Sequence, residues 1–353
     1  MKKINALKAV LGALLCSLII SKPSVAQEIL LIDQQSHQVL FAQDNEKVIP
    51  AHPYLSLLSG YVLYEALESQ NAPIFTKASK LDTQPYLRKV VEAVNNHNDD
   101  ALLALAKKLG WSKEQFDTLL TETLQTLGMK HTTLTSPQQT TLTDQSKLLS
   151  QIVVRAPALL SPINNLKERL SSQEKLPFLG QLSNITGWMT PVEKSQGHWA
   201  GLFWIQPKLR ASGNSLLILH EDEGKQAFQS VVKQSIQKAV YDYETFKLYH
   251  SGQTITHSQL YMGQEDSVPV VTHNDIWITV PKEDFITEGK DKLTIEFKQM
   301  SPILAPIEQG EYIGSLLIYY DHKLLNQTPL YAGQTIERGG DLRQLIDTFK
   351  LIF

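Results

Sequence analysis

The chain has 353 residues, of which 42% are hydrophobic and 20% charged, so it can bury one large core or two ordinary ones, and its length favours about two domains. Its formal net charge is −3 at pH 7. This balance excludes the strongly basic surface of a nucleic-acid-binding protein, so no nucleic acid partner is expected.

Residues 1–26 have the pattern of a secretory signal peptide. Two lysines follow Met1, an apolar run extends from Ala6 to Ile20, and Ser24-Val-Ala26 places small residues at the usual cleavage spacing. A retained anchor helix is the alternative, although the run is shorter than the ~20 residues that span a bilayer. Cys16, the only cysteine, lies within this run, so a mature chain would have no thiol for a disulfide, a metal or catalysis.

The mature chain is predicted to begin with a hairpin followed by a helix. Apolar and alternating residues from Glu28 to Ala42 predict the hairpin. Ser56 and Ser59 lie in the predicted helix without a Lys or His at helical spacing that would activate a hydroxyl, so we interpret them as small residues at a helix contact. After Pro53, apolar residues recur at helical spacing, at Leu57, Leu58, Tyr61, Val62, Tyr64 and Leu67.

A polar turn between two helices is predicted next. From Thr83 to Gly110, apolar residues at helical spacing predict two helices, separated by the polar residues Asn95 to Asp99. His97 and Asp99 could form a metal pair or an acid–base dyad, but the sequence offers no third ligand nearby. Helix capping is the preferred interpretation, and neither a metal nor another cofactor is expected.

Two further helices and a sheet are predicted to follow. Ser112-Lys-Glu-Gln115 has capping-box spacing, and Gly128 would end the helix that begins there with a left-handed residue. The second helix, from Thr141 to Val154, is implied by a family resemblance described below. Two strands about a Pro207 to Asn214 hairpin and a final helix are then predicted at Trp199–Gln206, Ser215–His220 and Gln226–Val240.

From residue 243 the pattern changes to short strands separated by turn residues, and no helix signal interrupts them. We therefore predict an all-β module over residues 243–338. Contacts between domains of one chain are usually modest, so this module should be separable from the residues before it. Its strands are predicted around Thr254–Thr256, Val268–Val271, Asp275–Pro281, Leu293–Phe297 and Tyr312–Tyr319.

The last residues, 339–353, predict an amphipathic helix that lies on a membrane surface. The helix follows the Gly339-Gly340 break, and its charged residues lie away from the apolar face. The alternative is a tail helix packed on the β-module. The apolar face, which is the predicted membrane contact, consists of Leu342, Leu345, Ile346, Phe349, Ile352 and Phe353.

Several of these segments resemble, in order and spacing, the low-molecular-mass penicillin-binding proteins, the D-alanyl-D-alanine carboxypeptidases. The resemblance covers nearly the whole mature chain. It implies an α+β fold: a serine β-lactamase-like or penicillin-binding-protein-like domain (27–242) with an antiparallel sheet and helices, an all-β sandwich domain (243–338) and the C-terminal helix. The segments are the hairpin with the first helix, Leu127–Ser136, Thr141–Val154, Ile276–Lys282, Leu304–Gly314 and Thr328–Leu330.

The resemblance also implies a catalytic site, but all three of its motifs are altered here. In the family the first helix opens with Ser-x-x-Lys, which carries the nucleophile. Registered on Tyr61-Val62, these positions are Pro53 and Ser56. Registered on Pro50-Ala51, they are His52 and Leu55. The family's Ser-x-Asn turn becomes His97-Asn98-Asp99, or, after a one-residue slip, Asn96 and Asn98 without the serine.

The third family motif, a Gly-x-Lys-Thr-Gly strand that lines the substrate carboxylate site, corresponds to residues 187–191. Gly187 and Thr190 are retained, whereas Met189 replaces the lysine and Pro191 replaces the last glycine. Met189 has no charge with which to bind a carboxylate, and Pro191 has no backbone N–H. No catalytic residue is therefore expected.

Ser-x-x-Lys and Ser-x-Asn also occur elsewhere, but we interpret these copies as chance matches or turn residues. A pattern with two common fixed residues arises by chance in a chain of this length, and none of the Ser-x-x-Lys copies follows the hairpin that would expose it. Ser-Gly-Asn is ordinary hairpin-turn chemistry. The copies are Ser172–Lys175, Ser230–Lys233, Ser235–Lys238 and Ser212-Gly-Asn214.

The sequence and the resemblance together favour a catalytically inactive periplasmic protein of peptidoglycan metabolism. Its expected partners are peptidoglycan or a cell-wall protein, and the outer face of the inner membrane. One alternative is an active carboxypeptidase or esterase that recruits Ser56 or a distant residue as nucleophile. A stability module without any ligand is the other.

Overall fold

The computed structural model describes residues 27–76, 81–160, 183–192, 197–208, 213–222, 224–287, 289–300 and 302–352. The predicted signal peptide (1–26), the Ser172–Lys175 match, Ser212 and Phe353 lie outside these residues. So does the side chain of Ile352.

The first half of the chain is built on a five-stranded antiparallel sheet with strand order β2-β1-β7-β6-β5. Strand β1 pairs with β2 in the predicted hairpin and with β7 along its whole length, from Gln27 opposite Glu221 to Asp33 opposite Ser215. This pairing joins the start of the chain to residues nearly two hundred positions later. The strands are β1 (Gln27–Asp33), β2 (Val39–Gln43), β5 (Ser183–Pro191), β6 (Trp199–Pro207) and β7 (Ser215–Glu221), and β3 (Ile49–Pro50) pairs separately with β4 (Gln139–Thr140).

Helices cover both faces of this sheet. Alternate residues of a strand point to opposite faces, so Leu30 and Ile218 join one hydrophobic core while Leu31 and Leu219 join another. The final helix of this half, with Phe228, packs on the second face. The helices are α1 (Leu55–Glu68), α2 (Gln84–Asn95), α3 (Asp99–Lys108), α4 (Lys113–Thr126) and α5 (Leu142–Arg155) on the first face, and α6 (Lys225–Tyr241) on the second.

The helix boundaries confirm the local sequence signals. Ser112 Oγ accepts a hydrogen bond from Gln115 N at 3.2 Å, and Gln115 Oε1 accepts one from Ser112 N at 2.8 Å, which is the predicted capping box. Gly128 follows α4 in the left-handed region, with φ +65°. The predicted polar turn separates α2 from α3, and its capping residue is Asn98, whose Oδ1 accepts from Ala101 N at 2.9 Å.

The second half is mainly β-structure around its own hydrophobic core. A six-stranded sheet has the order β12-β14-β15-β10-β9-β13, and β8 pairs with β11 in a second, two-stranded sheet. The α+β fold class is confirmed. The strands are β8 (Tyr243–Tyr249), β9 (Thr254–Tyr261), β10 (Ser267–Val271), β11 (Ile276–Pro281), β12 (Leu293–Gln299), β13 (Ile303–Leu304), β14 (Tyr312–Tyr320) and β15 (Lys323–Ala332).

The prediction that no helix interrupts the β-module was wrong. Two short helices, α7 (Lys282–Thr287) and α8 (Gly289–Lys292), connect β11 to β12. The Phe285 ring packs against Phe246 at 5.1 Å between ring centroids, so one aromatic side chain holds α7 on the core. Helices of one or two turns carry too few apolar residues to produce a clear periodic signal.

A buried carboxylate joins the two halves. Asp33, at the end of β1, is 1% exposed and accepts hydrogen bonds from the backbone N and hydroxyl of Ser36 and from Thr245 Oγ1, at 2.7 to 2.9 Å. Ser36 in turn lies 2.6 Å from Thr279 of β11. Because a buried charge needs several donors, this network fixes how the hairpin of the first sheet meets β8 and β11.

The chain ends in helix α9 (Asp341–Ile352), as the sequence predicted. Its long apolar side chains point into solvent: Leu342, Leu345, Ile346 and Phe349 are all exposed. The alternative of a tail helix that packs its apolar face on the β-module is therefore not what the structure shows. Within the described parts of the chain, none of the helices has the length and apolar character to cross a membrane.

Candidate functional site

The residues at the start of α1, where the resemblance places a nucleophile, are buried. Pro53 is buried and Tyr54 is completely inaccessible. Tyr54 donates its hydroxyl hydrogen to the carbonyl of Leu219, at 3.0 Å, on strand β7. Burial, with the negative charge of Glu28 adding to it, raises the pKa of Tyr54. The phenol therefore stays protonated and acts as a structural donor.

Trp188, on strand β5, fills the place where the three motif segments meet. It is 5% exposed, and its ring lies 5.4 Å from the Tyr54 ring at the start of α1. On another side it meets His97 of the α2–α3 turn edge-on, with ring centroids 4.8 Å apart. The first helix, the polar turn and the third motif strand thus converge, and aromatic rings occupy their meeting point.

The two family positions on β5 have different environments. Met189 packs on the opposite face of the sheet, in the same hydrophobic core as Phe203 and Phe228. Thr190 lies on the Trp188 face and is half-buried, and its hydroxyl donates to the neighbouring Pro191 carbonyl, at 3.4 Å. The side chain that β5 directs toward α1 is therefore Trp188, which sequence reasoning missed.

Among the described residues, Ser56 has neither the exposure nor the hydrogen-bond partner of an activated nucleophile. It is 1% exposed, and its hydroxyl makes no hydrogen bond with any residue that the structure describes. A serine needs an adjacent base to become nucleophilic and needs access to substrate. In the other register, Leu55 belongs to the hydrophobic core, and His52 is half-buried.

Asp99 lies on the surface in the first turn of α3, where a negative charge is favourable near the helix N-terminus. It is adjacent in sequence to the capping residue Asn98 rather than part of a catalytic pair. Among the described residues, no group of three His, Cys, Asp or Glu side chains is arranged to hold a metal ion.

A second polar cluster, formed by Glu28, His220 and Lys47, lies at one end of the first sheet. Glu28 is 1% exposed, its Oε2 lies 2.7 Å from His220 Nδ1, and its other oxygen accepts from the Lys47 ammonium. Burial raises the pKa of Glu28, but the hydrogen bonds from His220 and Lys47 outweigh it, so the net pKa is lowered. The contact with Glu28 raises the pKa of Lys47.

An open groove of about 640 Å³ lies beside the start of α1. His52 lines it, and His52 Nδ1 is buried without a hydrogen-bond partner among the described residues. None of the lining residues is an Asp, Glu, Lys or Arg. They come from residues 48–50 and His52 on one side and from Leu134 and residues 136–139 on the other.

Comparisons with known proteins agree with this architecture. The family described as "Penicillin-binding protein 5, C-terminal domain" matches residues 243–338. D-alanyl-D-alanine carboxypeptidase DacD of Salmonella typhimurium is 20% identical over 349 residues, covering 91% of this chain and 88% of that protein. D-alanyl-D-alanine carboxypeptidase DacF of Bacillus subtilis is 22% identical over 348 residues. The match covers 89% of this chain and 87% of that protein. Over most of its length the chain is thus similar to low-molecular-mass penicillin-binding proteins, and its residues 243–338 match the C-terminal domain of penicillin-binding protein 5.

Solved structures of such proteins have the same fold. Penicillin-binding protein 5 from Haemophilus influenzae superposes with a TM-score of 0.69 at 17% identity, covering 90% of this chain and all of the other. Penicillin-binding protein 6B from Escherichia coli superposes with a TM-score of 0.57 at 12% identity. That match covers 89% of this chain and 97% of the other. At such low identity these likenesses show the fold and leave the chemistry to be argued from the residues.

The Glu28 cluster predicts a pH dependence of stability. Because the pKa of Glu28 is lower in the folded chain than its ordinary value of 4.5, its carboxylate favours folding above about pH 5, and this contribution is lost as pH falls through the folded pKa. Glu28→Gln should lower the free energy of unfolding by about 1–3 kcal/mol at pH 7, and by less in acid. Urea denaturation at pH 7 and below pH 4 measures both values.

The matched control is Glu122→Gln, which makes the same change on the exposed surface of α4. It should leave stability within about 0.5 kcal/mol of the wild type at both pH values. A loss for Glu28→Gln that stays the same size in acid would contradict the assigned role of the carboxylate.

Proposed function

We propose that this protein is a catalytically inactive penicillin-binding-protein relative that acts in cell-wall metabolism by binding peptidoglycan or a cell-wall protein. The observation that carries the proposal is the position of Trp188 between Tyr54 and His97. The family's chemistry needs a serine, a lysine and a substrate at the meeting point of these three segments, and aromatic rings lie there instead.

Two independent losses support inactivity. The nucleophile and its base are both replaced, and in serine hydrolases such losses remove on the order of six decades of rate. Access is lost as well, because Tyr54 and Trp188 are buried in the hydrophobic core of the helical face. An active enzyme that uses Ser56 is disfavoured by the burial of that hydroxyl.

The groove beside α1 supports a binding role of a different chemical kind. A pocket for a terminal carboxylate needs a cation, whereas this groove is lined by prolines, aliphatic side chains, amides, one serine and one histidine. Such a surface suits neutral amide and sugar groups. We therefore propose that a cell-wall ligand contacts the protein here, outside the filled catalytic position.

The domain organisation and location follow the same proposal. Residues 27–242 would form the ligand-binding unit, residues 243–338 the β-domain, and residues 339–353 a helix that attaches the protein to the outer face of the inner membrane. The protein would then be periplasmic, after removal of the signal peptide at residues 1–26. Its partners would be the cell wall on one side and the lipid surface on the other.

The protein should not form a covalent adduct with a β-lactam. The purified chain from Gln27 onward is incubated with a fluorescent penicillin and separated on a denaturing gel, beside the D-alanyl-D-alanine carboxypeptidase DacA of Escherichia coli as the positive control. We expect label on the control only, because Ser56 is buried and the sequence has no lysine at helical spacing from it. Stoichiometric labelling that Ser56→Ala abolishes would overturn the proposal.

Helix α9 should bind lipid vesicles weakly and reversibly. Its apolar side chains are exposed, Leu342 to 74% and Phe349 to 58%. Full burial of one such side chain is worth ~1.5–3 kcal/mol, but an interfacial helix buries only part of each. Its acidic and basic residues cancel, so anionic lipid should add little. Co-sedimentation should recover the chain from Gln27 onward with vesicles and leave a chain ending at Gly340 in solution.

Point variants test whether the apolar side chains of α9 cause the difference in vesicle binding. Leu345→Ser combined with Phe349→Ser should reduce partitioning about tenfold, since two apolar side chains are lost from the face. Thr348→Ser, on the same helix and also exposed, should not change it. Equal partitioning of the full and shortened chains, or no binding by either at moderate salt, would show that α9 is not an anchor.

A further inference from the structure

Helix α9 buries a charged side chain and exposes four apolar ones, Leu342, Leu345, Ile346 and Phe349. Among residues 341–351, whose side chains the structure describes, Asp347 alone is buried, with 2% of its surface exposed. This is the reverse of an amphipathic helix that packs on its own domain, where the apolar face would be covered. The helix therefore rests on the β-module through polar contacts.

The contacts of Asp347 are specific. One carboxylate oxygen accepts a hydrogen bond from the backbone N of Met262 at 2.8 Å and lies 3.4 Å from Arg343 Nε. The other accepts from Lys350 Nζ at 2.9 Å. Arg343 also forms an ion pair with Asp266, so the turn between β9 and β10 is held at two points.

The chain just before the helix is tied to the same turn. Gly339 N donates to the Met262 carbonyl at 2.8 Å. A side chain at Gly339 would place its Cβ only 2.6 Å from the Gly263 carbonyl oxygen, so the close approach of the two segments requires glycine here. The start and the middle of α9 are thus both fixed to residues 262–266.

A carboxylate removed from water is stable only while its donors stay in place. If the helix rotated about its axis, Asp347 would lose the Met262 N–H, and the apolar side chains would turn toward the β-module. The hydrogen bond therefore selects one rotational setting of the helix, the setting in which Leu342, Leu345, Ile346 and Phe349 face outward.

We propose that Asp347 is a positioning residue that locks α9 on the β9–β10 turn, so that the protein meets a lipid surface as a rigid body in one orientation. The proposal rests on the membrane association proposed above. It adds that the helix is not a flexible tether: the β-domain, and with it the first domain through the Asp33 network, has a fixed orientation to the bilayer.

The test measures the distance between two spin labels in the chain from Gln27 onward, which has no cysteine of its own. Labels at Thr348→Cys, on the helix, and Thr254→Cys, at the start of β9, both occupy exposed positions. Pulsed electron double resonance is recorded in solution and with vesicles of phosphatidylethanolamine and phosphatidylglycerol. One narrow distance distribution is expected in both conditions.

Asp347→Ala should broaden this distribution at least twofold while vesicle partitioning stays within about twofold, since the apolar face is intact. Asp347→Asn keeps an acceptor for Met262 N, so the width of its distance distribution should lie between those of the unsubstituted protein and Asp347→Ala. Asp341→Ala, the same substitution at an exposed position of the same helix, should leave the distribution narrow.

The possible failures are distinguishable. A broad distribution in the unsubstituted protein, or a narrow one that Asp347→Ala leaves unchanged, would overturn the locked orientation. Absence of vesicle binding by the unsubstituted protein would instead overturn the membrane association itself, whatever the distance distribution.

Discussion

The contact of Trp188 with Tyr54 and His97 is the constraint on which the rest of this structure depends. It joins the sheet, the start of α1 and the α2–α3 turn in one packed cluster. The approach of the strands beneath it depends on Gly187, because a Cβ there would lie 2.0 Å from the Leu202 carbonyl oxygen. A cleft between the helices and the sheet edge would require this cluster to open, at a cost of several kcal/mol for an uncovered aromatic side chain.

The fold and the filled site have different origins in the sequence. Strand and helix periodicity, the Ser112 capping box and the Gly128 helix end are local signals, and they correctly predict most of the elements that the protein forms. The sequence pattern did not predict the short helices α7 and α8, because such short segments contain too few residues to show a period. The burial of Asp347 was not predicted either. Amphipathic patterning indicates which residues share a helix face, but it does not indicate which face a neighbouring turn will cover.

The site illustrates a further limit of sequence reasoning. Trp188 and Met189 are adjacent on β5, so the period of a strand places them on opposite faces. Because helices cover both faces of this sheet, both positions are apolar, and the sequence does not tell which one faces α1. Met189 is the residue at the position of the family's lysine, but it lies in the core beneath α6. Its neighbour Trp188 lies on the face toward α1. The clue available in the sequence was the aromatic residue itself, beside a motif that had lost its lysine.

Two buried carboxylates join the parts of this structure. Asp33 fixes the first sheet to the β-module, and Asp347 fixes the β-module to α9. Both are buried carboxylates satisfied by backbone and side-chain donors, which is the arrangement that specifies orientation rather than adding much stability. In the proposed role, a binding surface is presented at a set orientation above a membrane, and these two contacts would maintain that orientation.

The most direct measurement of the central claim is the solvent exposure of Trp188 by fluorine NMR. The five tryptophans of the protein are replaced by 5-fluorotryptophan, and the Trp188 resonance is assigned with Trp188→Phe. If Trp188 is sealed between Tyr54 and His97, a soluble gadolinium chelate will not broaden its resonance, and neither a penicillin nor a peptide ending in D-alanyl-D-alanine will shift it. Broadening by the chelate, or a saturable shift with either ligand, would show an open catalytic cleft and contradict the proposal that the protein is catalytically inactive.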